Sequence, residues 1–463
     1  MRYVGNKAED VVIAYIGGGS RGWAWALMSD LALEENMAGT VKLYDIDYAA
    51  AKDNEIIGNR LYERTDVKGK WRYKALESIQ DALSGADFVV ISILPGTFDE
   101  MASDVHEPEK YGIWQPVGDT VGPGGLVRAL RTIPMFVEIA DAVKKYSPRA
   151  WVINYTNPMT LCTRTLYEVF PDIRAFGCCH EVFNTQHLLG EALREVKGIT
   201  GVPREEIKTN VLGINHFTWL DNAHYRDMDL MPVYNEFVKR NYDDGFEGNE
   251  KDHWMNSVFA SANRVKFDLF RRYGIIAAAG DRHLAEFVPG AWYLKDPETA
   301  SRWKFNLTPV SWRKEDLKAR IEKGKRLAKG EEEFVLKETG EEGVRQMKAL
   351  LGLGDIVTNV NLPNCGQMSG IPFGSVVETN AHFSCNGIKP VMAGKLPNAV
   401  QGLVIRHVYN QETILEAALK KDKEIALRAF LNDPQVKIGI SEARDLLAKM
   451  MANTANYLTG WDI

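Results

Sequence analysis

Val11-Val12-Ile13-Ala14-Tyr15-Ile16 runs directly into Gly17-Gly18-Gly19-Ser20-Arg21-Gly22, and a helical pattern over residues 23–33 follows. An uninterrupted apolar run of that length is what a strand buried on both faces needs. The glycine stretch fits G-x-G-x-x-G, and each glycine has a physical reading. Gly17 permits the tight turn, Gly19 lets backbone approach a pyrophosphate, and Gly22 allows close helix–strand packing. A helix N-terminus then faces the phosphates. Glycine-rich turns are common, so the motif alone is weak. Its context is stronger. The next strand, Val41-Lys42-Leu43-Tyr44, ends in Asp45, at the offset where an acid binds ribose hydroxyls. No arginine stands directly beside Asp45, which favours NAD over NADP. The expected cofactor contacts are Gly17, Gly19, Ser20, Gly22 and Asp45.

Working outward, helix patterns at 48–63 and 78–83 alternate with strand patterns at 73–75 and 88–93, the last halted by Leu94-Pro95-Gly96. Strands alternating with helices imply a parallel sheet with right-handed crossovers. Residues 97–125, with Tyr111-Gly112-Ile113-Trp114-Gln115 and Gly118-Asp119-Thr120-Val121-Gly122-Pro123-Gly124-Gly125, read as a long lid or binding loop. A helix at 126–145 carries Arg128 and Arg131, aimed at anions or simply solvated. The strand at 150–153 ends in Asn154-Tyr155-Thr156-Asn157-Pro158. Pro158 holds Asn157 out of helical geometry, leaving it to bond a ligand or to serve as a turn and N-cap residue. The strand at 173–176 ends in Gly177-Cys178-Cys179-His180-Glu181-Val182, with a helix at 184–196. The glycine turn, Asn157 and Cys179 therefore share one sheet edge, where open α/β sheets bind ligands.

Thiolate and imidazole are both metal ligands, which singles out Cys179. A second candidate, His216, lies in Gly213-Ile214-Asn215-His216-Phe217, within paired strands at 211–221. One Cys and one His are too few for structural zinc but suit a catalytic ion with open positions. The plainer alternative is a buried thiol and a satisfied core histidine. Helices are expected at 231–242 and 265–273. Gly280-Asp281-Arg282-His283-Leu284-Ala285-Glu286-Phe287 then packs titratable side chains together. Charged helices at 314–329 and 341–351 read as solvated. Strands at 357–360, 375–379 and 382–384, with turns at Pro363-Asn364 and Asn386-Gly387, precede helices over 399–431. Cys162, Cys365 and Cys385 have no nearby His at ligand spacing.

The 463 residues leave room for two domains. The expected fold class is α/β: a Rossmann-like doubly wound parallel sheet over 1–200 and an α+β domain over 201–463 for substrate, metal and oligomerisation. A net charge of −6 argues against nucleic acid and against an anionic membrane surface as partners. Five cysteines without framework spacing indicate free thiols in a reducing compartment. No stretch reads as a signal peptide or membrane span, so the cytoplasm is expected.

Taken together, the glycine turn, Leu43-Tyr44-Asp45-Ile46-Asp47, residues 118–134, Asn154 to Pro158, Cys179-His180 and Asn215-His216 resemble glycoside hydrolase family 4. The likeness continues in collinear order through residues 357–366, 375–378 and 386–390. This NAD-dependent family departs from the two-carboxylate glycosidase scheme. Cys179-His180-Glu181-Val182 further resembles the metal-ligand motif of its α-galacturonidase subgroup. The resemblance implies an overall arrangement like that of lactate and malate dehydrogenases. It also implies a redox-assisted elimination on a small galacturonide sugar. Mn²⁺ on Cys179 and His216 chelates two sugar hydroxyls, and NAD⁺ takes hydride from C3. The C2 proton then becomes acidic, the glycosidic oxygen leaves, water adds, and NADH returns the hydride. By the same resemblance His283, with Asp281 nearby, stands where relatives carry the base, and His180 acts as general acid. Asn154, Asn157, Asn215 and Arg282 are expected on the substrate, Arg282 or Arg128 gripping its carboxylate. The family's habit implies a homodimer or homotetramer. Alternatives are an α-galactosidase or α-glucosidase of the same family, an NAD-dependent 2-hydroxy acid-type dehydrogenase, or a nonenzymatic NAD-binding regulator.

Overall fold

The computed structural model describes residues 1–248, 255 and 257–463. β1 (Arg2–Val4) pairs antiparallel with β2 (Lys7–Ile16), and α1 (Trp23–Leu33) leaves the glycine turn. β3 (Met37–Tyr44), α2 (Tyr48–Tyr62), β4 (Trp71–Leu76), α3 (Ile79–Leu83) and β5 (Phe88–Ile91) continue the alternation. α4 (Phe98–His106), α5 (Gly122–Tyr146), β6 (Trp151–Asn154), α6 (Met159–Val169), β7 (Arg174–Gly177) and α7 (Glu181–Lys197) complete it. Six strands lie parallel in the order β4-β3-β2-β5-β6-β7. The winding direction reverses between β2 and β5, which is where such sheets open a ligand crevice. The apolar run of β2 is buried along its length from Ile13 to Ile16, so helices cover both faces of the sheet, as expected.

One expectation fails. Residues 97–125 are not a long loop, because α4 and the first turn of α5 occupy much of the stretch. Thr97 caps α4 through Asp99 N–H, and Glu100 returns a bond to Thr97 N–H, a capping box that the spacing Thr97 to Glu100 encodes. Met101 and Val105 bury one face of the helix. α5 begins at Gly122, not at 126, with Pro123 in its first turn, where a missing N–H does no harm. Arg131 is fully buried. It donates to Asp104 and to the Pro95 carbonyl, so it fastens α4 to α5 and does not meet an external anion.

In the second half, β8 (Ile207–Ile214), β9 (Phe217–Tyr225), β10 (Met228–Asp229) and β11 (Ile276–Ala277) form an antiparallel sheet. Around it lie α8 (Met231–Asn241), α9 (Arg264–Tyr273), α10 (Asp281–Phe287) and α11 (Pro297–Arg302). By contrast, α12 (Val310–Lys329) packs on α2 and α4, and α13 (Gly343–Leu350), expected as solvated, buries Val344 and Met347 in the core of the first sheet. β12 (Ile356–Pro363), β13 (Val376–Ser384) and β14 (Gly387–Pro390) then return to the first sheet. They join it antiparallel through Asn361 opposite Gly177. The boundary drawn near residue 200 falls between α7 and β8, and the sheet continues past it. The two short strands expected at 375–379 and 382–384 are one, β13. α14 (Asn398–Lys420), α15 (Lys423–Asn432) and α16 (Ile440–Asn453) pack against α5 and its neighbours. α12 is more than a solvated helix. Arg60 donates to its Leu327 carbonyl at 2.7 Å, Arg320 donates to the Arg21 carbonyl at 3.3 Å, and Lys314 pairs with Asp99. It therefore straps the second half across the glycine-turn end of the first. No helix among the described residues is long and apolar enough to cross a membrane.

His407 sits in the aromatic core with Phe217 and Phe287, its Nε2 2.7 Å from the Phe287 carbonyl. Burial pushes its pKa down from 6.5 to about 4. The unfolded chain takes up this proton first as pH falls, so the stability is present above pH 6.5 and is lost toward pH 4. Linkage puts the loss at roughly 2 kcal/mol between pH 7 and pH 5. Urea denaturation of wild type and His407→Gln at both pH values checks it. The variant is expected to lose less stability on acidification than the wild type does.

Candidate active site

The glycine turn is built so tightly that it excludes side chains. Gly17 has φ +93°, and a Cβ there would stand 2.0 Å from the Ser92 carbonyl oxygen. The Ser20 N–H closes the turn on the Gly17 carbonyl at 3.0 Å. Asp45 accepts from Gly19 N–H at 2.8 Å and Asp47 N–H at 2.9 Å, so the acid at the end of β3 and the turn form one unit. Gly22 has a different neighbour from the one its motif position implies. Its missing Cβ faces Arg320 Nη1 at 3.0 Å, and not the sheet.

Across the crevice, three side chains from separate elements converge. Asp119, ahead of α5, His216, in the β8–β9 turn, and His283, in α10, bring their ligand atoms within 4.8 Å of one another. His216 adopts φ +63° at the two-residue reversal, which turns its ring inward. The His216 and His283 rings stack with centroids 3.8 Å apart. The Thr120 hydroxyl donates to Asp119 Oδ1 at 2.7 Å and stands 2.9 Å from His216 Nδ1. With its single hydrogen given to Asp119, that hydroxyl accepts from Nδ1–H and leaves the lone pair on Nε2. Burial and the neighbouring His283 push His216 down to about 3, so it is a neutral imidazole. Burial would raise Asp119, but His283, His216 and Arg128 hold it below the ordinary carboxylate range. A neutral imidazole beside an ionised carboxylate is a donor set for a divalent cation.

Cys179 follows β7 at the same edge but is not part of that trio. Burial and the carboxylates of Glu378 and Glu181 push its thiol well up, while Asn215 contacts it and opposes them. Asn215 Nδ2 donates to Glu378 Oε2 at 3.1 Å, and Asn359 Nδ2 donates to Glu378 Oε1 at 2.7 Å. Glu181 accepts from Gly280 N–H at 2.6 Å and stands 4.0 Å from His283 Nε2. Burial opposes its ionisation, yet His283, His216 and His180 bring it down to about 2. Asn157 Oδ1, Asn215 Oδ1 and His283 Nδ1 are buried without a hydrogen-bond partner. Three such atoms around one centre mark a place where a ligand supplies the missing bonds.

The remaining expected residues divide. The His180 ring bonds Glu341 at 2.9 Å and stacks toward Trp23, and that bond raises its pKa. It opens on a cleft of about 920 Å³ that Gly22, Trp23, Arg320 and Glu341 also line. Asn157 Nδ2 reaches Asp119 Oδ2 at 3.3 Å, and its peptide bond to Pro158 is cis. Asn154 is fully buried and turned on its own chain, accepting from Thr156 N–H and donating to the Thr156 carbonyl. Asp281 is fully buried and accepts from Val265 and Lys266 N–H, capping α9 instead of facing a sugar. Arg282 donates to the Asn306 and Pro116 carbonyls and to Thr308. Arg128 donates to the Asn157 carbonyl at 3.0 Å and lies beside Asp119. Glu286 is a further residue that composition did not single out. Its Oε1 accepts from Val117 and Gly118 N–H at 2.8 and 2.9 Å, which fixes the loop that delivers Asp119.

A dinucleotide-type crevice and a cation-suited cluster on one sheet edge define a class of metal- and nucleotide-assisted enzymes. Comparison with known proteins makes the class specific. The model for family 4 glycosyl hydrolases matches residues 12–195, and that for the family's C-terminal domain matches residues 211–436. The chain belongs to glycosyl hydrolase family 4. An alpha-galacturonidase of Thermoanaerobacterium saccharolyticum is 70% identical over 463 residues, 100% of both chains. The crystal structure of lplD from Bacillus subtilis superposes with TM-score 0.91 at 53% identity, covering 96% of this chain and 100% of that one. A 6-phospho-alpha-glucosidase from gut microorganisms, solved in complex with NAD and Mn²⁺, has TM-score 0.80 at 20% identity. It covers 97% of this chain and 99% of its own, and at that identity it shows a shared fold.

Proposed function

We propose that this chain is an NAD- and Mn²⁺-dependent α-galacturonidase. The observation that carries the substrate class is its 70% identity, end to end, with a protein named alpha-galacturonidase. The residues present fit both cofactors. The glycine turn has no room for a Cβ and ends against Asp45, and His216 offers Nε2 beside the Asp119 carboxylate. When bound, NAD⁺ supplies a hydride acceptor and the cation a Lewis acid for charge developing on the sugar oxygens.

The chain's own groups do the rest. Asp45 would accept from the ribose hydroxyls, and Cys179 and His216 would hold the cation, with Asp119 and His283 beside His216. A coordinating thiol gives up its proton on binding, which answers the raised pKa of Cys179. Asn157 and Asn215 orient sugar hydroxyls through their unpartnered amide oxygens. His283 Nδ1 takes the C2 proton, and Glu181 beside it stabilises the imidazolium. His180, steadied by Glu341, gives a proton to the departing oxygen. The two-part organisation around residue 200, a homodimer or homotetramer and a cytoplasmic location complete the reading. Sedimentation analysis checks the assembly.

The test is a panel of α-linked hexosides and hexuronides assayed with NAD⁺, Mn²⁺ and a reductant. An α-galacturonide is expected to be cleaved best, with no net NADH. Preference for a neutral α-galactoside or α-glucoside would move the substrate class. Net NADH formation would mark an ordinary dehydrogenase.

A further inference from the structure

Resting on the galacturonide reading, the next question is what meets the sugar's carboxylate. The basic side chains near Asp119 differ sharply in what they already hold. Arg128 is tied to the Asn157 carbonyl and lies between the carboxylates of Asp119 and Asp104. Arg131 is locked to Asp104. Arg282 gives its Nε to the Asn306 carbonyl and its Nη2 to Pro116 and Thr308. Arg313, in the first turn of α12, stands apart. Its Nε is buried with no hydrogen-bond partner, and among the described residues no carboxylate lies within ion-pair distance of it. The acid three residues along, Asp316, is taken by Arg320 at 2.7 Å.

Arg313 and Arg282 flank one aromatic ring, each guanidinium 5.3 Å from the Phe259 centroid. Two guanidinium groups share that ring, and burial, followed by the neighbouring Arg313 charge, lowers the pKa of Arg282. Arg282 donates to the Pro116 carbonyl, just ahead of Asp119, so the shared ring puts Arg313 on the active-site side of its helix. Such a like-charge pair is unfavourable until an anion neutralises it, and a planar carboxylate matches an arginine fork. The strap geometry of α12 supports the position: Val310 N–H reaches His106 Nε2 at 3.3 Å, so the helix begins against α4, beside the loop that carries Asp119.

We propose that Arg313 is the specificity-determining residue that binds the substrate carboxylate, with Arg282 as a second, fixed cation beside it. The neutral counterpart, with a hydroxymethyl group in place of the carboxylate, leaves the buried Nε of Arg313 unmatched, and this disfavours it.

The experiment compares wild type, Arg313→Gln and Arg313→Lys on an aryl α-galacturonide and the matching aryl α-galactoside. Free galacturonate and galactose are also titrated calorimetrically into the holoenzyme. Arg313→Gln is expected to lower the uronide-to-neutral ratio of kcat/KM by about 100-fold, chiefly through KM for the uronide. Galacturonate affinity should fall with it. Arg313→Lys, which keeps the charge but not the fork, should lie between. A wild type that prefers the uronide and a Gln variant that keeps the ratio and the galacturonate affinity would overturn this proposal alone. A wild type that prefers the galactoside would overturn the substrate reading, and this proposal with it.

Discussion

His216→Ala is expected to lower kcat/KM on an α-galacturonide by roughly 10³-fold and to abolish tight Mn²⁺ binding, read independently by electron paramagnetic resonance. The reasoning is geometric. His216 belongs both to the ligand pair read from sequence, with Cys179, and to the trio that the fold assembles, with Asp119 and His283. No other side chain is common to the two. Its neutrality, its fixed tautomer and its inward-turned backbone all serve one lone pair on Nε2. Thr120→Val gives a graded comparison, because it removes the hydroxyl that sets the tautomer and leaves the ring. Loss of such an orienting partner weakens metal binding about 10- to 100-fold. A His216→Ala protein that still binds Mn²⁺ as tightly as the wild type would show that the cation lies elsewhere.

The second large effect belongs to the nucleotide side. Gly17→Ala is expected to destabilise the protein by about 3 kcal/mol and to abolish NAD⁺ binding. Two penalties coincide there: a positive φ and a Cβ driven to 2.0 Å from the backbone oxygen of Ser92. The chain leaving β5 would have to move, and with it the floor of the crevice. Gly112→Ala separates the two penalties. Gly112 has φ +72° but open space around its missing Cβ, so only backbone strain of about 1 kcal/mol remains. Urea denaturation with calorimetric NAD⁺ titration distinguishes them. Equal stability in both variants would mean that the close approach to Ser92 is not rigid.

Periodicity carried most of the fold. The apolar runs of β2, β5, β6 and β7 are long enough and pure enough to define buried parallel strands, and the helix over residues 23–33 appears with those bounds. The stretch from 97 to 125 misled because its glycines and aromatics outweighed a short local signal, Thr97 followed by Glu100. β12 and β13 read as strands, the second in two pieces, while β14 went unread behind the turn at Asn386-Gly387, and nothing local shows that the three extend the first sheet. A single residue pair, Asn361 with Gly177, makes that junction.

The site was legible where chemistry follows a strand end and illegible where it depends on convergence. Asp45, Asn157, Cys179 and His216 could be singled out as candidates because turns and strand ends announce them. Asp119 lay in a quoted glycine-rich stretch without a role, and only the approach of α10 and the β8–β9 turn gives it one. Asp281 and Arg282 were reasonable from charge density alone, yet the carboxylate caps α9 and the guanidinium holds the 116 and 308 segments. Arg313 sits in a helix whose composition reads as solvent-facing, and its distinguishing property, an unmatched buried nitrogen, exists only in three dimensions.

The measurement that bears most directly on the central claim is cleavage of an α-galacturonide by enzyme stripped of NAD and treated with chelator, followed by restoration of each component. Activity is predicted to vanish on removal of either one and to return only when both NAD⁺ and Mn²⁺ are supplied, without net NADH. Cleavage that persists in the stripped, chelated enzyme at the original rate would contradict the account.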